Sequence, residues 1–139
     1  MKRRFRTRGF TLIEMIIVIV VMGVLMALAL PMYNQSITRS KEARLLHNKA
    51  VLNDLVQQYS LDKKKAPLSL QDLVDAGYIK SIPDDITGNN TSWQTDNEDP
   101  EHAWDPNEPG ITCVYSGSDA ESTNGTPYSS WRQECGEQK

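Results

Sequence analysis

Catalytic signatures are missing from this chain. It has no GxSxG elbow, no GxxxxGK[ST] phosphate loop and no HExxH pair, so acyl transfer, phosphoryl transfer and zinc hydrolysis lack their residues at the spacing they need. Carboxylates are abundant, but most sit in loop-like sequence with no regular element to hold two of them at a fixed separation. Cysteine is scarce: Cys113 and Cys135 are the only two, with no CxxC and no CxxCH, which leaves out a dithiol redox centre and covalent haem. A metal site recruiting His47 or His102 fits no zinc spacing. Between Asp84 and Glu108 there is no Lys or Arg, while eight acids occur. There is no internal repeat and no low-complexity tract. The residues give no enzyme.

Positive charge is concentrated at the start. Met1 to Gly9 holds five of the fifteen Lys and Arg residues and no acid, leaving ten positive against eighteen negative side chains after it, a net charge of −8. An acidic remainder argues against nucleic acid as a partner, which requires clustered cations.

An apolar run from Phe10 to Pro31 follows, interrupted by one charge, Glu14. About 20 apolar residues at 1.5 Å rise cover the ~30 Å hydrocarbon core of a bilayer. The carboxylate costs roughly 2.5–3.5 kcal/mol to insert, so it calls for a partner. Cleavage between Gly9 and Phe10 creates one, a protonated α-amine. Unit charges about 4 Å apart gain on the order of 4 kcal/mol at an effective dielectric of 20, enough to offset insertion. Two other readings compete. One is a plain single-pass anchor, its basic start held in the cytoplasm, which leaves Glu14 unexplained. The other is an ordinary signal peptide cut after Ala27-Leu28-Ala29, releasing a soluble periplasmic binding protein from Leu30; its apolar core is usually 7–15 residues and uncharged, unlike this run.

Beyond Pro31 about 108 residues remain, near the size of one domain. From Met32 to about Leu61 the sequence stays helix-friendly, with Leu45, Leu52, Val56 and Tyr59 on one stripe and Val51 and Leu55 widening it. Gly23 and Pro31 are the weak points of the resulting long helix. Lys63-Lys64-Lys65 and then Pro67 close it. Ser69 to Gly77 reads as a short capped helix with Leu70, Leu73 and Val74 inward and Gly77 as its left-handed stop. Ile111 to Tyr115 alternates as a half-buried strand, and Thr91 to Thr95 around Trp93 reads as its partner. Trp93 and Trp104 are expected to cover the sheet or the helix. The expected fold is α+β: a long N-terminal helix, membrane-spanning then amphipathic, packed on a small C-terminal antiparallel sheet with a loop-rich tail. The organisation is a leader 1–9, an apolar helix 10–31 and a globular part 32–139. Outside the cytoplasm Cys113 and Cys135 are expected to pair, closing a loop of about 22 residues for roughly 3 kcal/mol; two buried thiols are the alternative.

The residues Gly9-Phe10-Thr11-Leu12-Ile13-Glu14 behind a basic leader resemble the class III signal of type IV prepilins and type II secretion pseudopilins. The stretch Leu73 to Asn89, with its Pro83-Asp84 and Gly88-Asn89 turns, resembles the region after the long helix in major pseudopilins of the G type. The resemblance implies a pilin-like fold, cleavage after Gly9 by a prepilin peptidase, N-methylation of Phe10, and pairing of Glu14 with a neighbouring subunit's amine in a helical homopolymer. It also implies loss of helical order near Gly23 and Pro31 inside the filament. The implied partners are further copies, minor pseudopilins or pilins, an inner-membrane assembly platform with its ATPase, and inner-membrane lipid. The implied location is the bacterial inner membrane, with the C-terminal part in the periplasm. A pseudopilus serving type II secretion is the first reading; a type IV pilus for adhesion, motility or DNA uptake is the second, and a C-terminal disulfide is common in such pilins. Tyr115 to Asp119 and Pro127 to Trp131 resemble the closing loop that binds calcium in many members. Here Asp119 and Asn124 are the oxygen ligands on offer where members bring several aspartates, and no cofactor is required.

Overall fold

The structure, a computed structural model, describes residues 9–135, with the side chains of residues 133–135 outside the described set. The leader before Gly9 therefore lies outside it. The elements are α1 (Leu12–Lys63), α2 (Leu70–Asp75), β1 (Trp93–Asn97), β2 (Ile111–Ser116) and a 3-10 helix (Tyr128–Cys135). The chain divides into two compact units, Met1–Ile37 and Thr38–Lys139.

In the first unit every residue from Gly9 to Ile37 is exposed, and the apolar part of α1 is long and apolar enough to cross a membrane. A helix apolar on all sides buries itself only in lipid or among other helices. In the single chain α1 runs through Gly23 and Pro31 without a break in its assignment. The expected loss of order there concerns the packed filament.

In the second unit the predicted stripe forms the core. Leu45, Leu52, Val56 and Tyr59 are buried, and they meet Leu73 of α2, Trp93 of β1, Ile111 and Val114 of β2, and Tyr128 of the 3-10 helix. Val51 and Leu55 are half-buried beside them. α1 ends at Lys63, and Lys64 turns into the left-handed region at φ 55°. The Asp72 carboxylate accepts the N–H groups of Leu68 (2.8 Å) and Ser69 (3.0 Å), fixing the start of α2. At its end Gly77 has φ 80°, Tyr78 N–H reaches Leu73 O (2.9 Å) and Gly77 N–H reaches Val74 O (3.0 Å). That pair of bonds is the Schellman closure, which needs a residue without Cβ at the left-handed position.

β1 and β2 pair antiparallel, Trp93 opposite Ser116 through Asn97 opposite Ile111, with an irregularity at Asp96/Asn97. Both strands were legible, β1 beginning and ending two residues later than the expected Thr91 to Thr95. Ile111 N–H bonds Pro67 O (2.7 Å), and the backbone of Gly110 lies so close to Ala66 that an added Cβ would sit 2.6 Å from its side chain. The tryptophans of the acidic stretch part company. Trp93 is buried with its indole N–H on Pro83 O (2.8 Å), whereas Trp104 is 48 % exposed beneath Lys64 Nζ. Trp104 lies in the long connection between the strands, flanked by turns at Asp99 and Asp105, so it does not cover the core as expected.

Candidate functional site

Thr11 precedes the first residue of α1 and occupies its N-cap. Its N–H (2.9 Å) and hydroxyl (3.0 Å) both donate to Glu14 Oε2, while Glu14 N–H lies 3.3 Å from the Thr11 hydroxyl. This is a reciprocal capping box, with the acid also at the favourable end of the helix dipole. Thr-x-x-Glu, here Thr11 to Glu14, carries that signal in sequence. One oxygen is engaged by Thr11, and the carboxylate stays exposed. Ahead of the helix Gly9 and Phe10 are non-helical and exposed, Phe10 at 80 %. The peptide between them is open to a protease, and nothing lies within 4 Å of where a Gly9 side chain would begin.

The second group of functional side chains was not legible. The buried stripe of α1 begins at Glu42 and includes Lys49, 8 % and 5 % exposed. Positions 42, 45, 49, 52, 56 and 59 share one helical face, so the spacing that marked the apolar members also held these two; their charge hid them. Both oxygens of Glu42 serve the C-terminal tail. Oε1 accepts the Thr123 N–H (2.6 Å) and the Tyr128 hydroxyl (3.0 Å), and Oε2 accepts the Thr123 hydroxyl (2.6 Å). Burial pushes the Glu42 carboxyl up, but these three donors and the charge of Arg39 together hold it below its ordinary 4.5. The Tyr128 hydroxyl is raised above 10.0, by burial first and then by Glu42. Lys49 Nζ donates to Trp131 O.

Asn53 completes this face. Its side-chain amide takes both backbone groups of Val114, Nδ2 to the carbonyl (3.0 Å) and Oδ1 from the N–H (2.8 Å). An amide side chain thus occupies the edge of β2 as a neighbouring strand would.

In the closing loop a tight turn brings Thr123 to Glu42: Glu121 bridges Pro127, Ser122 N–H bonds Thr126 O (2.8 Å), and Gly125 supplies φ 74°. Asp119 Oδ1 accepts from the Ser129 hydroxyl (2.9 Å), and Asn124 N–H is 3.3 Å from the Ser122 hydroxyl. Calcium takes six to eight oxygens. Among the described residues this loop offers two carboxylates, Asp119, which already accepts from Ser129, and Glu121, and no group of three or more His, Cys, Asp or Glu is gathered. Cys113 is buried and disulfide-bonded; the Cys135 side chain, its expected partner, lies outside the described residues.

The prokaryotic N-terminal methylation motif matches residues 4–30. Type II secretion system core protein G of Klebsiella pneumoniae is 31 % identical over 99 residues, covering 60 % of this chain and 71 % of that protein. Core protein G of Escherichia coli is 30 % identical over 105 residues, 64 % of this chain and 72 % of its own. Type IV major fimbrial protein FimA of Dichelobacter nodosus is 39 % identical over 59 residues, 42 % of this chain but only 37 % of that protein. No solved structure matches.

Proposed function

This chain belongs to the type IV pilin-like family that includes type II secretion system core protein G, and from that premise we propose that it is a structural subunit of a type II secretion pseudopilus. The observation that carries the choice is the reach of the likeness. Core protein G is matched over 71–72 % of its own length, whereas the fimbrial relatives are matched over 37 to 58 % of theirs.

In this reading a prepilin peptidase cuts the exposed Gly9–Phe10 bond and methylates the new Phe10 amine. The basic leader holds the N-terminus in the cytoplasm until then, and the residues after Pro31 stand in the periplasm, where Cys113 and Cys135 pair. Extraction from the membrane stacks the exposed apolar helices of successive copies. The Phe10 amine of one copy meets the Glu14 carboxylate of the next, which offsets the cost of carrying that acid through lipid. An assembly platform and its ATPase drive the growth, minor subunits start it, and the lengthening filament pushes cargo outward. No cofactor is needed.

The type IV pilus remains as second reading because of the disulfide at Cys113 and the fimbrial likeness. Mass spectrometry of the sheared filament fraction tests both readings at once: the expected mature chain starts at methylated Phe10, and a soluble chain starting at Leu30 overturns them. Deletion then separates them, since loss of protein secretion without loss of surface fibres is the pseudopilus result.

A further inference from the structure

Charge is unevenly spread over the globular unit. From Ser81 to Trp131 there are ten acids and no Lys or Arg. Five of these acids, Glu98, Asp99, Glu101, Asp105 and Glu108, fall in the connection between β1 and β2, and the last four are exposed. Lys64 Nζ lies 5.6 Å from the Trp104 ring in the middle of that connection, so the connection sits at the Lys63 end of α1. Lys63, Lys64 and Lys65 stand exposed at the same end, which leaves five acids against three lysines. Among the described residues none of the five is ion-paired with a Lys or Arg.

The opposite balance is found where the unit begins. Arg39, Lys41 and Arg44 are exposed there, and the exposed acid beside them is Asp84, 3.7 Å from Arg44. Glu42 and Asp85 are buried and held by Thr123, Tyr128 and Ser116. Lys41 and Arg44, three residues apart, share one face of α1 and line a cavity of about 140 Å³ whose other wall is Asp84 to Gly88. Asn48 Nδ2 holds that wall to the helix through Asp84 O (2.9 Å). The Arg44 side chain is 68 % exposed, so its contact with Asp84 leaves the guanidinium open.

Arg44 and Lys64 are twenty residues apart, about 30 Å of helix. Salt screens exposed charges beyond about 8 Å, so the positive and negative ends do not satisfy each other within one copy. Two copies placed head to tail bring them together. A contact between two different patches repeats from copy to copy and builds a filament when its rotation does not close, and opposite charge fixes its register. Trp104, 48 % exposed among the acids, and Arg44 on the other patch are the residue types on which contact energy concentrates, and a guanidinium stacks on an indole face.

We propose that the face around Lys41 and Arg44 is the docking site for the connection Glu98 to Glu108 of a second copy of this chain, with Trp104 against the Arg44 guanidinium and its flanking acids Glu101 and Asp105 on the two cations. The proposal rests on the filament reading above and adds to it a contact between globular units, separate from the pairing of Phe10 with Glu14.

The test expresses the full chain in its native strain and measures sheared filaments. Lys41→Glu with Arg44→Glu is expected to lower the yield several-fold, Glu101→Lys with Asp105→Lys likewise, and all four substitutions together to restore most of it. The four side chains are exposed, and an unchanged melting point in detergent verifies that the variants fold. A second arm needs no charge reversal: a chain carrying Lys41→Cys, co-expressed with one carrying Glu101→Cys, gives a disulfide-linked dimer in the filament fraction, and neither chain gives it alone. Undiminished yield from both reversals, no restoration in the fourfold variant, or no dimer from the mixed cysteine chains overturns the proposal. So does an equal dimer from Lys41→Cys alone, which would place like faces together. A wild-type chain that is cleaved but never enters a filament fraction overturns the filament reading instead.

Discussion

Replacing Glu42 is the sharpest perturbation available in the globular unit. Three donors converge on this buried carboxylate from segments more than 80 residues away in sequence. Bonds to a charged acceptor are worth about 1.5–3 kcal/mol each but add incompletely, and breaking a buried charged network costs about 3–5 kcal/mol. Glu42→Ala, which leaves the Tyr128 hydroxyl and Thr123 N–H without their acceptor, is therefore expected to lose about 4 kcal/mol. For a unit of this size 1 kcal/mol moves the melting point by about 4–8 °C, so the expected drop is at least ~15 °C. Glu42→Gln keeps the shape, since its carbonyl serves Thr123 N–H and Tyr128 while the Thr123 hydroxyl turns to accept from the amide; the loss is about 1–3 kcal/mol. The pH dependence has a defined sign. A carboxyl held below 4.5 in the folded state contributes its stability fully above the unfolded value and loses it as pH falls through the folded one. The Tyr128 hydroxyl, raised above 10.0, contributes below 10 and loses its part as pH climbs past it. Thermal unfolding of the full chain in detergent, followed by near-UV circular dichroism from pH 3 to pH 11, reads all of this. The wild type should weaken in acid toward the Gln variant, whose own melting changes less with pH. An Ala variant melting within about 2 °C of wild type, or parallel pH curves for wild type and Gln, would refute the clamp.

Asn53→Ala removes both bonds to Val114 and is expected to cost about 2–3 kcal/mol, with faster hydrogen exchange at the Val114 amide as the specific readout; an unchanged rate there counts against the strand-edge role. Gly110→Ala drives a Cβ into the Ala66 backbone, 2.8 Å away, and should cost about 1–3 kcal/mol in a urea titration, whereas Ala at Gly9 leaves the globular unit's stability unchanged. Cys113→Ser should lower stability by about 3 kcal/mol and abolish the mobility difference between reduced and oxidised chain on a denaturing gel. Glu14→Ala should leave leader cleavage intact and reduce the yield of sheared filaments; normal yield would remove the case for amine pairing.

Legibility followed the kind of signal each element carries. α1 and its core stripe were readable because apolar residues repeat at helical spacing, and α2 because Ser69 and Gly77 mark its ends. β2 was readable from its alternation, and β1 by proximity to Trp93, although its end lies at an irregularity that alternation does not encode. Glu42 and Lys49 were not readable as buried. A charged residue on an apolar stripe looks like the edge of a solvated face until its partners are known, and Thr123, Tyr128 and Trp131 are some 80 residues away. Asn53 was hidden in the same way, as a common polar residue whose importance comes entirely from what it meets. Trp104 failed in the opposite sense: its size suggests burial, yet the turns around it carry it outward. At the N-terminus the motif was plain, and its capping geometry was encoded too, in the spacing of Thr11 and Glu14.

Two strands alone rarely hold together in water, and here the sheet's second edge is closed by one amide of a helix. Asn53 makes the helix an honorary third strand over a single residue. Its identity as Asn, and its angular position on α1, therefore set where β2 lies. Turning α1 about its axis by one residue, roughly 100°, would carry Asn53 off the strand edge and Glu42 off the tail together. Within the globular unit, helix, sheet and tail are thus keyed to one rotational setting, and a slip of the helical part would release β2 and the closing loop in the same step.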